Sequence, residues 1–361
     1  MKILLTNHHF IKNSGTEIYT YTLAKYLLQN KHSVTIYSAY LGNFKNELEK
    51  LNCPLVANLD LIKDQKFDIA HVHHNLNAVE IRHFFPQLPI IFQSHGVLTF
   101  LEQPPVFNLE ISQYLAICEG VKDNLQKHNI SENKIQILRN FIDPNIFKET
   151  KPISQQPKSL LSISHYLPIE VEYNIIKVCN QLGISYKFIG GRHPHYTQEQ
   201  MVTAINNSDI IISLGRGAME AMFCGRIPII YDYQGSDGMV TPSNFSRLIT
   251  QNFSGRIYRT KCTAAELEQE IQKYKPEYGQ KLKHLATQEF DADINYEKLI
   301  NIYKDVLKQP KISLISSDTG NYLDFMVKSL IETRNYSSLL TYQKFSNLKH
   351  QKILRLLKII K

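Results

Sequence analysis

The chain has 361 residues, 43% hydrophobic and 20% charged, which suits two packed domains and excludes a disordered protein. Five scattered cysteines without a Cys-x-x-Cys pair (Cys53, Cys118, Cys179, Cys224 and Cys262) argue against a disulfide framework or a zinc site and for a reducing, cytoplasmic setting. The formal charge of +8 is local: Thr333–Lys361 holds seven Lys or Arg and no acid, leaving +1 for residues 1–332 and no basic cleft suited to nucleic acid.

Along the chain, the opening Lys2–Asn7 is too short an apolar run for a signal peptide and predicts a strand. A helical pattern follows through Ile18, Leu23, Tyr26 and Leu27, then the β-branched run Ser33–Tyr37. Asp68–His73, Pro89–Ser94, Tyr114–Ile117 and Lys134–Leu138 read as further short strands, with a helix from Gly120 to about His128. Lys148–Ser159, with Pro152 and Pro157 and little hydrophobicity, predicts a domain linker. The alternation then restarts. Leu160–Ile163, Tyr186–Ile189, Ile210–Ser213, Ile227–Tyr231 and Arg256–Ile257 read as strands; Ile169–Leu182, Thr197–Asn206, Gly217–Cys224 and Ala264–Tyr274 read as helices. No segment approaches the ~18 apolar residues of a spanning helix. The pattern predicts an α/β chain of two Rossmann-like domains, 1–148 and 149–292, with a closing helix over 293–310 and a basic helical tail over 311–361.

Parallel sheets of this kind bind ligands at the carboxyl ends of their strands. There, Ile210–Ser213 ends in Leu214-Gly215-Arg216-Gly217 and passes at once into a helix with Ala218 and Glu220 in its first turns. Glycines let backbone approach a ligand, and helix N–H groups together with a guanidinium suit a phosphate. Glu220 could accept from ribose hydroxyls; the alternative is an ordinary first-turn acid beside an incidental Arg. Gly15-Thr16 precedes the first helix and could face phosphates from the opposite domain, while Gly235-Ser236-Asp237-Gly238 reads as a flexible loop. His71, His73 and His74, with His8 and His9, form no recognisable metal-ligand motif, so neither metal nor cofactor is expected.

Glu220-Ala221-Met222-Phe223-Cys224-Gly225 with Pro228-Ile229-Ile230 resembles the donor-binding motif of the glycosyl transferases group 1 family, retaining enzymes of the GT-B fold. The resemblance continues through Ser14-Gly15-Thr16-Glu17, Asp68–His73, His95-Gly96, Ile117–Lys122 and Ile137–Asp143, and covers Met1 to about Gln309. It implies two domains facing a cleft. A nucleotide-sugar would be held by Gly15, Thr16, Arg216, Gly217, Ala218, Glu220 and Asp237, with His95 at the reacting sugar. It also implies transfer to a glycan or lipid-linked acceptor, with retention and without a metal, in a setting such as bacterial surface polysaccharide synthesis. Three positions depart from the pattern. Ile212 stands where the family has the first Glu of Glu-x7-Glu; Ser164–Pro168 lacks the family's phosphate-binding Arg and Lys, leaving Arg192 and Arg216; and Asn140 is followed by Phe141 rather than Gly.

Finally, Ile353, Leu356, Leu357 and Ile360 recur at helical spacing opposite Lys352, Arg355 and Lys358. A basic amphipathic helix of this kind fits an anionic membrane surface met by residues 344–361, or docking on protein. The rival readings are a nucleotide-sugar epimerase and a catalytically inactive scaffold or glycan-binding module.

Overall fold

The computed structural model describes residues 1–11, 15–42, 44–164, 167–190, 196–232, 235–261, 263–310, 320–321 and 323–334. The first unit runs β1 (Lys2–Thr6), β2 (His9–Phe10), α1 (Gly15–Gln29), β3 (Ser33–Tyr37), β4 (Tyr40–Leu41), α2 (Lys45–Glu49) and β5 (Leu55–Val56). It continues with β6 (Ile69–Val72), α3 (Asn75–Phe84), β7 (Ile90–Ser94), β8 (Gln113–Ala116), α4 (Glu119–Lys127) and β9 (Ile135–Ile137). The second unit holds β10 (Ser159–Ile163), α5 (Ile169–Leu182), β11 (Ser185–Ile189), α6 (Gln198–Asn206), β12 (Ile210–Ser213) and α7 (Arg216–Phe223). Then come β13 (Ile227–Asp232), β14 (Gly235–Met239), α8 (Phe245–Leu248), α9 (Ala264–Gln272), α10 (Glu277–Phe290) and α11 (Ala292–Lys308).

The first sheet has the order β5-β3-β1-β6-β7-β8-β9, and every pair in it is parallel. Its strands are short apolar runs because both faces are covered. One face packs on α3 and α4 through residues such as Ala78, Ile81, Val121 and Leu125. The other packs on Tyr19, Leu23 and Leu27 of α1 and on Leu299, Ile302 and Tyr303 of α11. The second sheet is ordered β11-β10-β12-β13-β14, with only β14 antiparallel.

Three expectations are corrected here. Gly235–Gly238 is not a loop but part of strand β14, because the chain turns back to pair Ile230 with Gly238 and Ile229 with Met239. Arg256–Ile257 is irregular rather than a strand, tied to the sheet by an isolated bridge from Ser236 to Thr260 and by side-chain bonds. And the stretch from 311 is not wholly a tail: residues 323–334 are helical, and Leu323 and Val327 are buried in the core of the first unit. Arg334 pairs there with the buried Glu80, which also accepts from the Tyr37 hydroxyl at 2.9 Å. The amphipathic segment 344–361 lies outside the described residues, as do Ser14, His165, Tyr166, Arg192 and Cys262.

Two chain crossings join the units. Phe141–Ile142 leads out of the first and Phe290–Ala292 leads back, and they lie side by side: Ile142 N–H donates to Phe290 at 2.9 Å and Ala292 N–H to Ile142 at 3.0 Å. Residues 149–158 carry no regular structure and run along the second unit, where Asp209 accepts from the Ser154 and Lys158 amides at 2.8 Å each.

Candidate active site

Three adjacent strands bring a polar layer to the carboxyl edge of the first sheet. Register places Leu5 beside His71 and His71 beside Ile91. Because strand side chains alternate, Asn7, His73 and Gln93, two residues further on, share that same face. His71 Nδ1 lies 2.7 Å from the Tyr303 hydroxyl of α11, and the His71 and His73 rings sit 4.8 Å apart. His73 Nδ1 lies 2.9 Å from His95 Nε2. Tyr19 of α1 meets the His95 ring edge-on at 4.8 Å and the His73 ring at 5.3 Å. His71 and His73 are fully buried, and His95 alone is partly exposed.

Burial decides the charge of this cluster. Loss of hydration lowers His71 and His95 to about 3, and takes His73 well below its ordinary value with help from its imidazole neighbours. At neutral pH the three rings are uncharged, so His95 offers the cleft a neutral N–H or a lone pair rather than a cation.

The second unit contributes the turn from β12 into α7. Gly215 has φ +51°, which lets the chain reverse at the strand end, and its amide donates to Phe253 at 2.9 Å. A Cβ on Gly217 would press on Ser213 Oγ, which donates to the Ile163 carbonyl at 2.9 Å and would have to move. The Gly217 amide itself donates to Leu214 at 3.2 Å, so it is not a free phosphate donor, and Ala218 beyond it is fully buried. Arg216 turns back on its own helix. Its Nε donates to Glu220 at 2.7 Å and one Nη to the Phe141 carbonyl at 2.9 Å. Burial pushes the Glu220 carboxyl up, and Arg216 partly offsets this.

Phe141 makes one site of the two halves. Its carbonyl holds Arg216 from the second unit while its ring packs on Tyr19 at 4.9 Å, and Tyr19 packs on His95. His95, Arg216 and Glu220 are therefore assembled around Tyr19 and Phe141. Asn140 adds a second tie, donating to Asn252 at 3.1 Å.

Other expected residues are placed differently. Gly15 and Thr16 begin α1; Gly15 is exposed with open space around it, and the Thr16 carbonyl accepts from Thr20. Buried Glu17 beside them accepts from the Ile11 amide at 2.6 Å, which ties the start of α1 to the residue after β2. Asp237 is buried in β14 and accepts from the Ile257 and Tyr258 amides at 3.0 and 2.8 Å, a role in holding that irregular segment. Ile212 is 1% exposed inside β12, between Ser162 and Ile229, so it is part of the core of the second unit rather than of the cleft surface. His8 and His74 are joined by a 3.1 Å bond from the His8 amide to His74 Nδ1, and among the described residues no three His, Cys, Asp or Glu are grouped to hold a metal.

Sequence reasoning missed Glu102. Its carboxylate rests against Gly96, next to His95, on a loop stapled to β7 by the Ser94 hydroxyl, which donates to the Glu102 carbonyl at 2.9 Å. Burial raises this acid to about 7 against the pull of Arg256 from the other unit. No motif marks Glu102; only the fold brings it against Gly96. Tyr19 was equally silent in sequence, one aromatic on an amphipathic helix.

Residues 13–146 match the model of a family described as Glycosyltransferase Family 4. Comparison with curated proteins finds no match. Among solved structures, HepE of Anabaena, in a complex with UDP and glucose, is 14% identical with a TM-score of 0.61, over 84% of this chain and 100% of that one. A glycosyltransferase from Rickettsia africae is 16% identical with a TM-score of 0.60, over 86% and 99%. The catalytic domain of starch synthase IV from Arabidopsis thaliana, bound to ADP and acarbose, is 11% identical with a TM-score of 0.54, over 85% and 99%. The fold is GT-B: two Rossmann-like units with largely parallel sheets.

Proposed function

We propose that this protein is a nucleotide-sugar-dependent glycosyltransferase that binds its donor mainly on the second unit and its acceptor mainly on the first. The observation that carries this reading is the assembly of His95 from one sheet edge and the Arg216–Glu220 pair from the other around Phe141 and Tyr19. The family match and the UDP and ADP complexes of the similar structures support it. Arg216 has only part of its donor fork engaged, and the remaining N–H groups suit a diphosphate. Glu220, close to the helix start, would accept from ribose hydroxyls once a nucleotide draws Arg216 away. His95 would meet the transferring sugar as a neutral group, with closure of the units excluding water. Retention without a metal, a glycan or lipid-linked acceptor in surface polysaccharide synthesis, and peripheral contact with the inner face of the cell membrane through 344–361 complete the reading.

A second reading has its own observations. Ile212 is sealed in the sheet and Arg216 is already paired with Glu220, which suits a non-catalytic glycan-binding protein. Incubation with UDP-glucose, UDP-galactose, GDP-mannose and ADP-glucose, following nucleoside diphosphate release, separates the two. Release of one diphosphate that is abolished in His95→Ala supports the enzyme. Tight nucleotide-independent glycan binding with no release would favour the other.

A further inference from the structure

We propose that His73 is a positioning residue that fixes the tautomer of His95, so that His95 presents its Nδ1–H to the cleft. The inference rests on the glycosyltransferase reading for its consequence, but its structural content stands alone.

A 2.9 Å contact between His73 Nδ1 and His95 Nε2 joins two uncharged rings, so one nitrogen must carry the hydrogen and the other the lone pair. There are two ways to arrange it. If His95 Nε2–H donates, the His73 proton sits on Nε2, and that atom is buried with no partner among the described residues. An unpaired buried N–H is the more costly orphan, because a bare lone pair gives up less on leaving water. If His73 Nδ1–H donates instead, only a bare lone pair is buried at His73 Nε2. His95 then accepts at Nε2 and carries its own proton on Nδ1.

The surroundings hold His73 in that role. Its ring is clamped by His71 at 4.8 Å on one side and by Tyr19 at 5.3 Å on another, and none of it is exposed. His71 is fixed in turn by Tyr303 at 2.7 Å. Because α11 crosses back from the second unit onto the first, Tyr303 ties this chain of contacts to the helix that closes the fold. Protonating His95 at Nε2 would force the His73 hydrogen onto its orphaned side, so the pair resists protonation and keeps His95 a neutral hydrogen-bond donor. A neutral Nδ1–H can bond a sugar hydroxyl or the oxygen that gains charge as the diphosphate departs, without giving up its proton.

The test is a long-range ¹H–¹⁵N spectrum of the full chain with ¹⁵N-labelled histidine, assigned with His95→Gln. The expected wild-type signature for His95 is a protonated Nδ1 and a bare Nε2. It should collapse to an exchange-averaged pattern in His73→Leu and return in His73→Asn, whose amide can donate from nearly the same point. A protonated Nε2 at His95 in the wild type, or an unchanged pattern in His73→Leu, would overturn the inference. The wild-type spectrum decides even if His73→Leu fails to fold. With UDP-glucose, diphosphate release should fall 10- to 100-fold in His73→Leu with KM little changed, and recover in His73→Asn; equal rates in wild type and His73→Leu would remove the positioning role. If the wild type releases nothing from any nucleotide-sugar, the glycosyltransferase reading fails while the spectrum still settles the tautomer.

Discussion

Arg216 and Glu220 each keep only 11% of their side-chain surface exposed, so the two depend on each other, but not equally. Removing the guanidinium in Arg216→Ala strands a buried carboxylate and cuts the bond to Phe141; the expected loss is about 3 kcal/mol. Glu220→Gln keeps an acceptor for Arg216 and removes one charge, so stability should change by only about 1 kcal/mol. Urea midpoints of the two variants check this asymmetry, and both should weaken nucleotide binding. The histidines make a second residue-scale prediction. His71 titrates near 3 in the folded chain and near 6.5 unfolded, so the unfolded state takes up the proton first as pH falls. Its contribution is present in full above pH ~6.5 and is lost toward pH 3, about 2 kcal/mol at pH 5. Melting temperatures at pH 7 and pH 5 should differ less in His71→Phe than in the wild type.

At the scale of elements, the β12–α7 turn works because two glycines do separate jobs. Gly215 adopts a positive φ and Gly217 leaves room for Ser213. Gly217→Ala should therefore displace Ser213 from Ile163 and cost about 1–3 kcal/mol, measurable by thermal melting; a neutral effect would mean that Ser213 rotates away freely. The motif was legible in sequence because strand, turn and helix are contiguous there. So was the helix Ile169–Leu182, whose end at Gly183 is marked by a residue suited to φ +67°. What sequence could not show is pairing at a distance. Gly235-Ser236-Asp237-Gly238 has the composition of a loop, yet β13 offers it an open edge and the strand forms. Glu102 comes against Gly96 only through a segment stapled at Ser94, and Asp237 is drawn to the 257–258 amides rather than to the cleft.

For the whole molecule, the two halves were visible as a restart of the strand–helix alternation after the Lys148–Ser159 stretch, but the crossings at Phe141–Ile142 and Phe290–Ala292 were not, because only their pairing in space marks them. Nor was the embedding of residues 323–334, since Leu323 and Val327 resemble any apolar pair until the first unit's core is seen beside them. Removing residues 344–361 should leave the melting temperature within about 2 °C. Sedimentation with vesicles containing phosphatidylglycerol should fall sharply in that truncated chain at low salt. Equal sedimentation with and without the segment would remove the membrane contact.

The most direct measurement is a thermal-shift series with UDP, GDP, ADP, CMP, dTDP and their sugar conjugates, with NAD as the control. A nucleotide at 100 times its dissociation constant adds about 2.7 kcal/mol of apparent stability. Stabilisation by one nucleoside diphosphate and its sugar conjugate, lost in Arg216→Ala and kept in His95→Ala, is the expected result. No stabilisation by any of them would contradict a nucleotide-sugar site built on Arg216 and Glu220.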